Sequence, residues 1–333
     1  MVDPLPSRVA APRTSRAQPH AVRLSITDRC DLACIYCRPQ GRETFVRERL
    51  DARAWGTLLR GLRDAGIRRV RITGGEPLLH AEVVRCVETI ASLGFEDVAL
   101  TTNATRLAPL ARTLRDAGLQ RINVSLDSLH DSRFSQLTRG GRLAPVLRGI
   151  DAACSAGFDE VKLNTVVVRR INDDELEVIM RWAWSRGILP RFLELMPIGH
   201  GARLIDRVVT TREMRASIQH LIADCTPEAK ANRGPARYVP AAHDANREVG
   251  FISGSSDTFC DGCDRLRVSS DGSLRPCLAS TQGVAIVDDA NTENAANITR
   301  AVATAWSNKP DGTVFRGCTE PSAAGVSMRA IGG

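Results

Sequence analysis

Six of the ten cysteines in this 333-residue chain fall into two groups of three. Cys30, Cys34 and Cys37 follow the pattern C-x3-C-x2-C, and Cys260, Cys263 and Cys277 follow C-x2-C-x13-C. Thiolates are soft ligands that suit zinc and iron–sulfur clusters. Three closely spaced cysteines let one loop wrap three irons of a cubane and leave the fourth iron open to a small molecule. A cluster with a cysteine on every iron does not readily offer such a site. Zinc is the competing reading. Structural zinc is almost always four-coordinate, yet neither group has a fourth cysteine nearby, and none of the six histidines stands at ligand spacing. A distant cysteine would complete either site, so zinc stays open, more so for the second group than for the first. Cys86, Cys154, Cys225 and Cys318 are single and read as inert thiols.

The basic residues come next. There are 45 of them against 38 acidic ones, for a net charge of +7 and a pI near 9.1. Lysine occurs only at Lys162, Lys230 and Lys309. A coding bias toward arginine explains the bulk, but guanidinium forks also match phosphate oxygens. Net charge by itself does not separate a nucleic acid from a nucleotide. The composition, 43% hydrophobic and 25% charged, is that of a soluble globular protein. No apolar run approaches the roughly 18 residues of a membrane span. Residues 1–19 hold four prolines and three arginines with no apolar core, unlike a secretory signal. The prolines also oppose the amphipathic helix of a mitochondrial presequence. The expectation is a flexible N-terminal extension on a cytoplasmic protein, where cysteines serve as ligands or thiols rather than disulfides.

These residues need elements to position them. Short β-like runs at Val22–Thr27, Arg69–Thr73, Val98–Thr102, Arg121–Ser125, Val161–Val168 and Arg191–Glu194 alternate with stretches of helical period. In the first such stretch Asp51 is a plausible N-cap, Trp55, Leu58, Leu59 and Leu62 share a face, and Gly66 closes the helix. Another, from Asp173 to Arg186, aligns Leu176, Ile179, Met180 and Ala183 before Gly187. Six strand–helix repeats imply an α/β fold with a parallel sheet and right-handed crossovers. The expectation is an open, partial (β/α)6 TIM-like barrel, with a flat doubly wound sheet as the alternative. In both, ligands sit at the C-terminal ends of the strands. The alternation stops after Met196, which places a boundary near 200. Residues 20–200 form the barrel and 201–333 a smaller, irregular domain that carries the second cysteine group.

At Cys30-Asp-Leu-Ala-Cys34-Ile-Tyr-Cys37 the sequence resembles the radical S-adenosylmethionine superfamily, and Gly74-Gly75-Glu76-Pro77 is similar to its GGEP segment. Further segments resemble the GTP 3′,8-cyclase family, which performs the first step of molybdenum cofactor synthesis. They are Arg23-Leu-Ser-Ile-Thr-Asp-Arg-Cys30, Leu100-Thr-Thr-Asn103, Asn123-Val-Ser-Leu-Asp-Ser128, Lys162-Leu-Asn-Thr165, Phe192-Leu-Glu-Leu-Met196, Phe259-Cys-Asp-Gly-Cys-Asp-Arg-Leu-Arg267, Leu274-Arg-Pro-Cys277 and the terminal Gly332-Gly333. The resemblance runs from about residue 20 to 333.

The resemblance implies a lyase with two 4Fe–4S clusters, one on Cys30, Cys34 and Cys37 and one on Cys260, Cys263 and Cys277. At the first, S-adenosylmethionine yields a 5′-deoxyadenosyl radical, and Tyr36, Gly75, Ser125 and Met196 match positions that contact this cofactor. The second holds the guanine of GTP. Arg23, Arg71, Thr101, Lys162, Arg265, Leu266 and Arg267 match GTP contacts, and Arg191 is a weaker candidate. A lysine at 162 in so arginine-rich a chain suggests that a compact point charge is wanted there. Gly332 and Gly333 are expected in the active site, where glycines pass without a side-chain clash. The resemblance further implies an electron donor and the next pathway enzyme as product acceptor. It allows a homodimer and calls for neither nucleic acid nor membrane. Arg38, Ala104 and Asp264 depart from the family pattern, which raises the question of cluster tuning or guanine contacts.

Two other readings compete. A peptide-modifying radical enzyme with an auxiliary cluster would usually carry more cysteines and would leave the arginines unexplained. A zinc-ribbon nucleic-acid binder would use the positive charge but leaves the GGEP segment without purpose.

Overall fold

Strands and helices alternate from residue 21 to 194 as the periodicity predicts. In the computed structural model, which describes residues 18–38, 45, 50, 52–230, 234–310, 328, 331 and 332, the order is β1 (Ala21–Ser25), α1 (Ala52–Asp64), β2 (Arg69–Thr73), α2 (Val83–Ser92), β3 (Asp97–Thr102), α3 (Ala111–Asp116), β4 (Arg121–Ser125), α4 (Asp131–Thr138), α5 (Leu143–Ser155), β5 (Glu160–Val167), α6 (Leu176–Trp184) and β6 (Leu189–Glu194). The helix expected from Asp173 begins later, at Leu176, after a turn. Asp51, the expected cap of α1, and the single Cys318 lie outside the described residues, as do residues 1–17 of the expected extension.

β1 to β6 are parallel neighbours in chain order. A doubly wound sheet reverses its strand order at a switch point; this one never does, so the chain winds in one sense, as a barrel does. β1 and β6 do not pair with each other, and the barrel is partial.

Each strand alternates. Val22 and Leu24, Val70 and Ile72, and Ile122 and Val124 are buried against the outer helices. Arg23, Arg71 and Ser125, from the intervening positions, line the inner cavity. Outside, α1 buries Trp55, Leu58, Leu59 and Leu62, each contributing about 1.5–3 kcal/mol. Gly66 follows with φ +94°, a left-handed conformation that glycine adopts without strain.

The remaining elements are α7 (Thr211–Ser217), β7 (Glu228–Ala229), β8 (Arg237–Pro240), β9 (Glu248–Ile252), β10 (Arg265–Val268), β11 (Ser273–Arg275), β12 (Val284–Ala285), α8 (Val287–Asn291) and α9 (Ala295–Ser307). They extend the same sheet on both sides. β10 pairs in parallel with β1 and β9 with β6, while β11–β12 and β8–β7 continue outward antiparallel. Helix α9 crosses back over α1 at Gly61, where a Cβ would stand 2.7 Å from the Ala295 carbonyl oxygen. No helix among the described residues is long and apolar enough to cross a membrane.

Candidate active site

The first cysteine group hangs on the C-terminal exit of β1. Gly74 and Gly75, at the exit of β2, pack directly on that loop. The Gly75 N–H donates to the Thr27 carbonyl at 2.7 Å and the Glu76 N–H to the Arg29 carbonyl at 2.7 Å. A Cβ on Gly75 would stand 2.7 Å from the Asp28 carbonyl oxygen and closer still to that of Arg29. Buried Glu76 accepts from the Leu78 N–H, the Thr102 hydroxyl and the Asn103 N–H at 3.0, 2.7 and 2.7 Å. Burial raises its carboxyl to about 7 against those hydrogen bonds. Asn103 in turn donates to Asp31 at 2.8 Å, between the first two cysteines. On the far side the Tyr36 hydroxyl donates to Asp127 at 2.6 Å, and Asp127 also accepts from the Val166 N–H at 2.9 Å. Burial raises Asp127 to about 6. The loop is thus tied to the ends of β2, β3, β4 and β5 at once.

The donor set fits an iron–sulfur cluster. Burial pushes Cys30 up to about 12 and Cys34 well above its ordinary range, with the Asp127 charge adding at Cys34. Thiols so placed become ligands when metal charge replaces the lost hydration. Cys30, Cys34 and Cys37 share one pocket with Thr73, Gly75, Thr101 and Ser125, and no further cysteine and no histidine lines it among the described residues. Three thiolates leave one iron of a cubane without a protein ligand, whereas structural zinc takes four protein ligands. No disulfide joins any of the nine described cysteines.

The second group faces the same cavity from the other side, where Cys260, Cys263 and Cys277 appear among the lining residues. Burial raises Cys263, but Arg265 and Lys309 outweigh it and leave the thiol at about 6. The Arg265 guanidinium also stacks 5.2 Å from the Phe259 ring centre.

Between the two groups lies a bed of cations. Arg23 is the register partner of Arg267 on β10 and of Arg71 on β2, which puts three arginines in one row across adjacent strands, spaced about 4.8 Å apart. Arg265 and Arg191 complete the group, and all five line the cavity. None of the five is ion-paired with a carboxylate among the described residues. Burial, then mutual repulsion, lowers Arg23 strongly, Arg71 to about 9 and Arg267 to about 10. Arg191, 1% exposed, has uncharged hydrogen-bond partners: the Asn123 side-chain oxygen accepts from it at 2.6 Å, and Tyr238 hydrogen-bonds it, with the Glu160 charge adding a smaller favourable contribution. Gly250, its register partner, has no side chain; a Cβ there would stand 2.9 Å from both Arg191 and Tyr238. The Nε atoms of Arg23, Arg71 and Arg191 and the Oδ1 of Asn164 are buried without a hydrogen-bond partner. Clustered cations with unused donors are an anion site.

The C-terminal tail reaches this bed. Arg267 donates to the Ile331 carbonyl at 3.0 Å and to that of Gly332, and Arg23 reaches the Gly332 carbonyl at 3.5 Å. Ile331 is buried with Ile198, Cys260 and Leu278, and Met328 lines both pockets. Gly332 adopts φ +69° against Thr73. Gly333 lies outside the described residues.

Most residues singled out from sequence converge here. Tyr36, Ser125, Thr101 and Met196 line the cavity with the arginines. Met196 is held between two glycines, since a Cβ on Gly254 would meet its Cγ at 2.6 Å and one on Gly201 would press on its carbonyl. Two residues are placed differently. Strand alternation between Arg265 and Arg267 turns Leu266 to the opposite face, where its side chain is fully buried in the core opposite Val22. Lys162 is buried one row toward the N-terminal ends of the strands, outside the cavity lining, and pairs with Glu160 at 2.7 Å. Burial, helped by Arg191, holds it at about 7.

The departures from the family pattern have local explanations. Arg38 donates to the Leu32 carbonyl at 3.3 Å and the Cys30 carbonyl at 3.5 Å, bracing the cysteine loop. Asp264 pairs with Arg69 rather than facing the cavity. Ala104 takes φ +61°, packed on Gly149. The sequence assigned no individual role to Asp127, Asn123, Asn164, Tyr238 or Lys309, although the first three stand within the segments that carry the resemblance.

Residues 24–183 match the Radical SAM superfamily, and 189–315 match Molybdenum Cofactor Synthesis C. The GTP 3′,8-cyclase of Heliobacterium modesticaldum is 45% identical over 271 residues, covering 80% of this chain and 82% of that one. That of Thermodesulfovibrio yellowstonii is 40% identical over 269 residues, covering 80% and 83%. Among solved structures, Streptococcus suis SuiB bound to S-adenosylmethionine superposes with TM-score 0.61 at 15% identity, covering 94% of this chain and 72% of that one. SuiB bound to precursor peptide SuiA gives 0.63 at 14%, covering 94% and 71%. At such identities the likeness establishes the fold. The sequence relatives establish more: the chain belongs to the GTP 3′,8-cyclase family within the radical S-adenosylmethionine superfamily.

Proposed function

We propose that this chain is a GTP 3′,8-cyclase that converts GTP to 3′,8-cyclo-7,8-dihydro-GTP, the first step of molybdenum cofactor biosynthesis. The observation that carries the reading is the row Arg267–Arg23–Arg71, with Arg265 and Arg191 beside it, set between two cysteine groups and not ion-paired with any carboxylate among the described residues. A triphosphate carries about four negative charges, and convergent guanidiniums supply the forked donors it needs.

Cys30, Cys34 and Cys37 would hold the first cluster, which when bound would supply the electron for reductive cleavage of S-adenosylmethionine and so the hydrogen-abstracting chemistry that the ribose 3′ position of GTP would undergo. The protein's part is positioning. Tyr36, fastened by Asp127, and Gly75, seated on the loop of residues 27–29, fix the cysteine loop against the barrel. Ser125, Thr101 and Met196 line the passage between that loop and the arginines. The arginines anchor the triphosphate, which leaves the ribose between the two cysteine groups and turns the purine toward Cys260, Cys263 and Cys277. Leu278 lines the cavity with Ile331 and Ile198 packed against it, an apolar backing that keeps water from a reactive carbon. The reading includes an external one-electron donor and a following enzyme that consumes the cyclic product.

The test is anaerobic turnover of the loaded protein with a reductant, S-adenosylmethionine and GTP deuterated at C3′. Deuterium in the recovered 5′-deoxyadenosine is expected. Unlabelled 5′-deoxyadenosine would remove GTP as the radical's target and move the reading to peptide modification.

A further inference from the structure

We infer that Lys309 is a positioning residue of the second cysteine group, fastening the turn that carries Cys263 to the strand end before Cys277 and holding a positive charge against their sulfurs. The inference rests on the reading that this group carries an iron–sulfur cluster.

Lys309 stands just beyond α9 and lines the cavity. Its ammonium donates to the Arg265 carbonyl at 2.7 Å and to the Pro276 carbonyl at 2.8 Å. It also hydrogen-bonds the Cys263 sulfur. Three N–H bonds are all that a lysine has, and here each goes to the cysteine group. The two carbonyls lie two residues after Cys263 and one residue before Cys277, so a single side chain ties together the two pieces of backbone that must hold the sulfurs in register.

The lysine arrives from outside those pieces. Helix α9 is seated on α1, at the close crossing over Gly61, and delivers Lys309 inward with the Trp306 ring 5.2 Å from the ammonium. The three acceptors lie on the 263–265 turn and at the Pro276 end of β11, so tetrahedral donors reach them while a planar guanidinium fork would not. This accounts for a lysine in a chain that uses arginine almost everywhere else. A hydrogen bond and a positive charge at a ligating sulfur favour the loaded state and raise its reduction potential.

The experiment uses the full-length, anaerobically loaded protein and its Lys309→Met and Lys309→Arg variants. Iron release to a chelator is followed in time, with Cys260→Ser and Cys34→Ser proteins assigning the two phases. Iron on Cys260, Cys263 and Cys277 is expected to leave Lys309→Met about ten to a hundred times faster, the usual scale for an outer-shell partner. The phase from Cys30, Cys34 and Cys37 should keep its wild-type rate, the second group should be reduced at a lower potential, and Lys309→Arg should recover at most part of the loss. Wild-type release from the second group in Lys309→Met would overturn the inference. Equal acceleration at both groups would also overturn it, making the lysine a residue of the general fold. A wild-type protein with no iron on the second group would instead refute the two-cluster reading itself.

Discussion

Gly332→Ala is the sharpest test of how the tail reaches the arginine bed. Gly332 takes φ +69°, which costs an L-residue about 1–2 kcal/mol. The new methyl would also collide with the Thr73 Cγ2 methyl, with Thr73 Oγ1 at 3.3 Å; overpacking of this kind costs about 1–3 kcal/mol. The two together disfavour the docked tail by about 2–5 kcal/mol, or roughly thirty-fold or more in its population. Holding the tail in place are carbonyl acceptors on Arg267 and Arg23 and the buried Ile331 side chain, opposed by the entropy of ordering the chain end. Turnover of GTP in Gly332→Ala should therefore fall at least tenfold, with binding of S-adenosylmethionine unchanged. The double variant Thr73→Ser/Gly332→Ala removes the offending methyl and leaves the φ strain. It should recover part of the loss, while Thr73→Ser alone stays near wild type. The assay is single-turnover formation of cyclic product with equilibrium binding of S-adenosylmethionine alongside. Wild-type turnover in Gly332→Ala, or a double variant no better than the single, would refute the reasoning.

Gly75→Ala should strip iron from the first cysteine group and spare the second, because its Cβ presses on the Asp28 and Arg29 carbonyls under the first loop; iron and sulfide per chain would fall by about half. Lys162 should give stability a pH dependence of known sign. Its folded pKa, about 7, lies below its ordinary 10.5, so the unfolded chain binds more protons between these values and stability rises with pH across that window. Compared with Lys162→Met, the wild type should gain in urea midpoint from pH 7 to pH 10. Parallel profiles would contradict this.

The strands were legible because alternation in a parallel barrel is enforced twice, by helices outside and ligand chemistry inside. Val22, Leu24, Val70 and Ile72 had to face one way and Arg23 and Arg71 the other. The same alternation, applied between Arg265 and Arg267, already turns Leu266 to the core. Lys162 was harder. Its parity is right, but its depth in the barrel depends on pairing register, which no local pattern carries: Lys162 aligns with Asn123 and Leu189, a row below Asn164 and Arg191. Asp127 and Tyr238 act through partners 91 and 47 residues distant along the chain, Tyr36 and Arg191. Lys309 did leave a trace, since the rarity that drew notice to Lys162 applied to it equally.

The sheet's order also sets a timetable for biosynthesis. β1 pairs on one side with β10 and β6 with β9. A ribosome that has made residues 20–200 has therefore made six strands with two bare edges, and bare edges invite pairing with other chains. β9 covers the first edge about fifty residues later, but the β1 edge waits for residues 265–268. Contacts so distant along the chain form late. The strand leading into the first cysteine loop is completed by the same segment that links Cys263 to Cys277, so the β1 edge stays open until part of the second cysteine group has already been made.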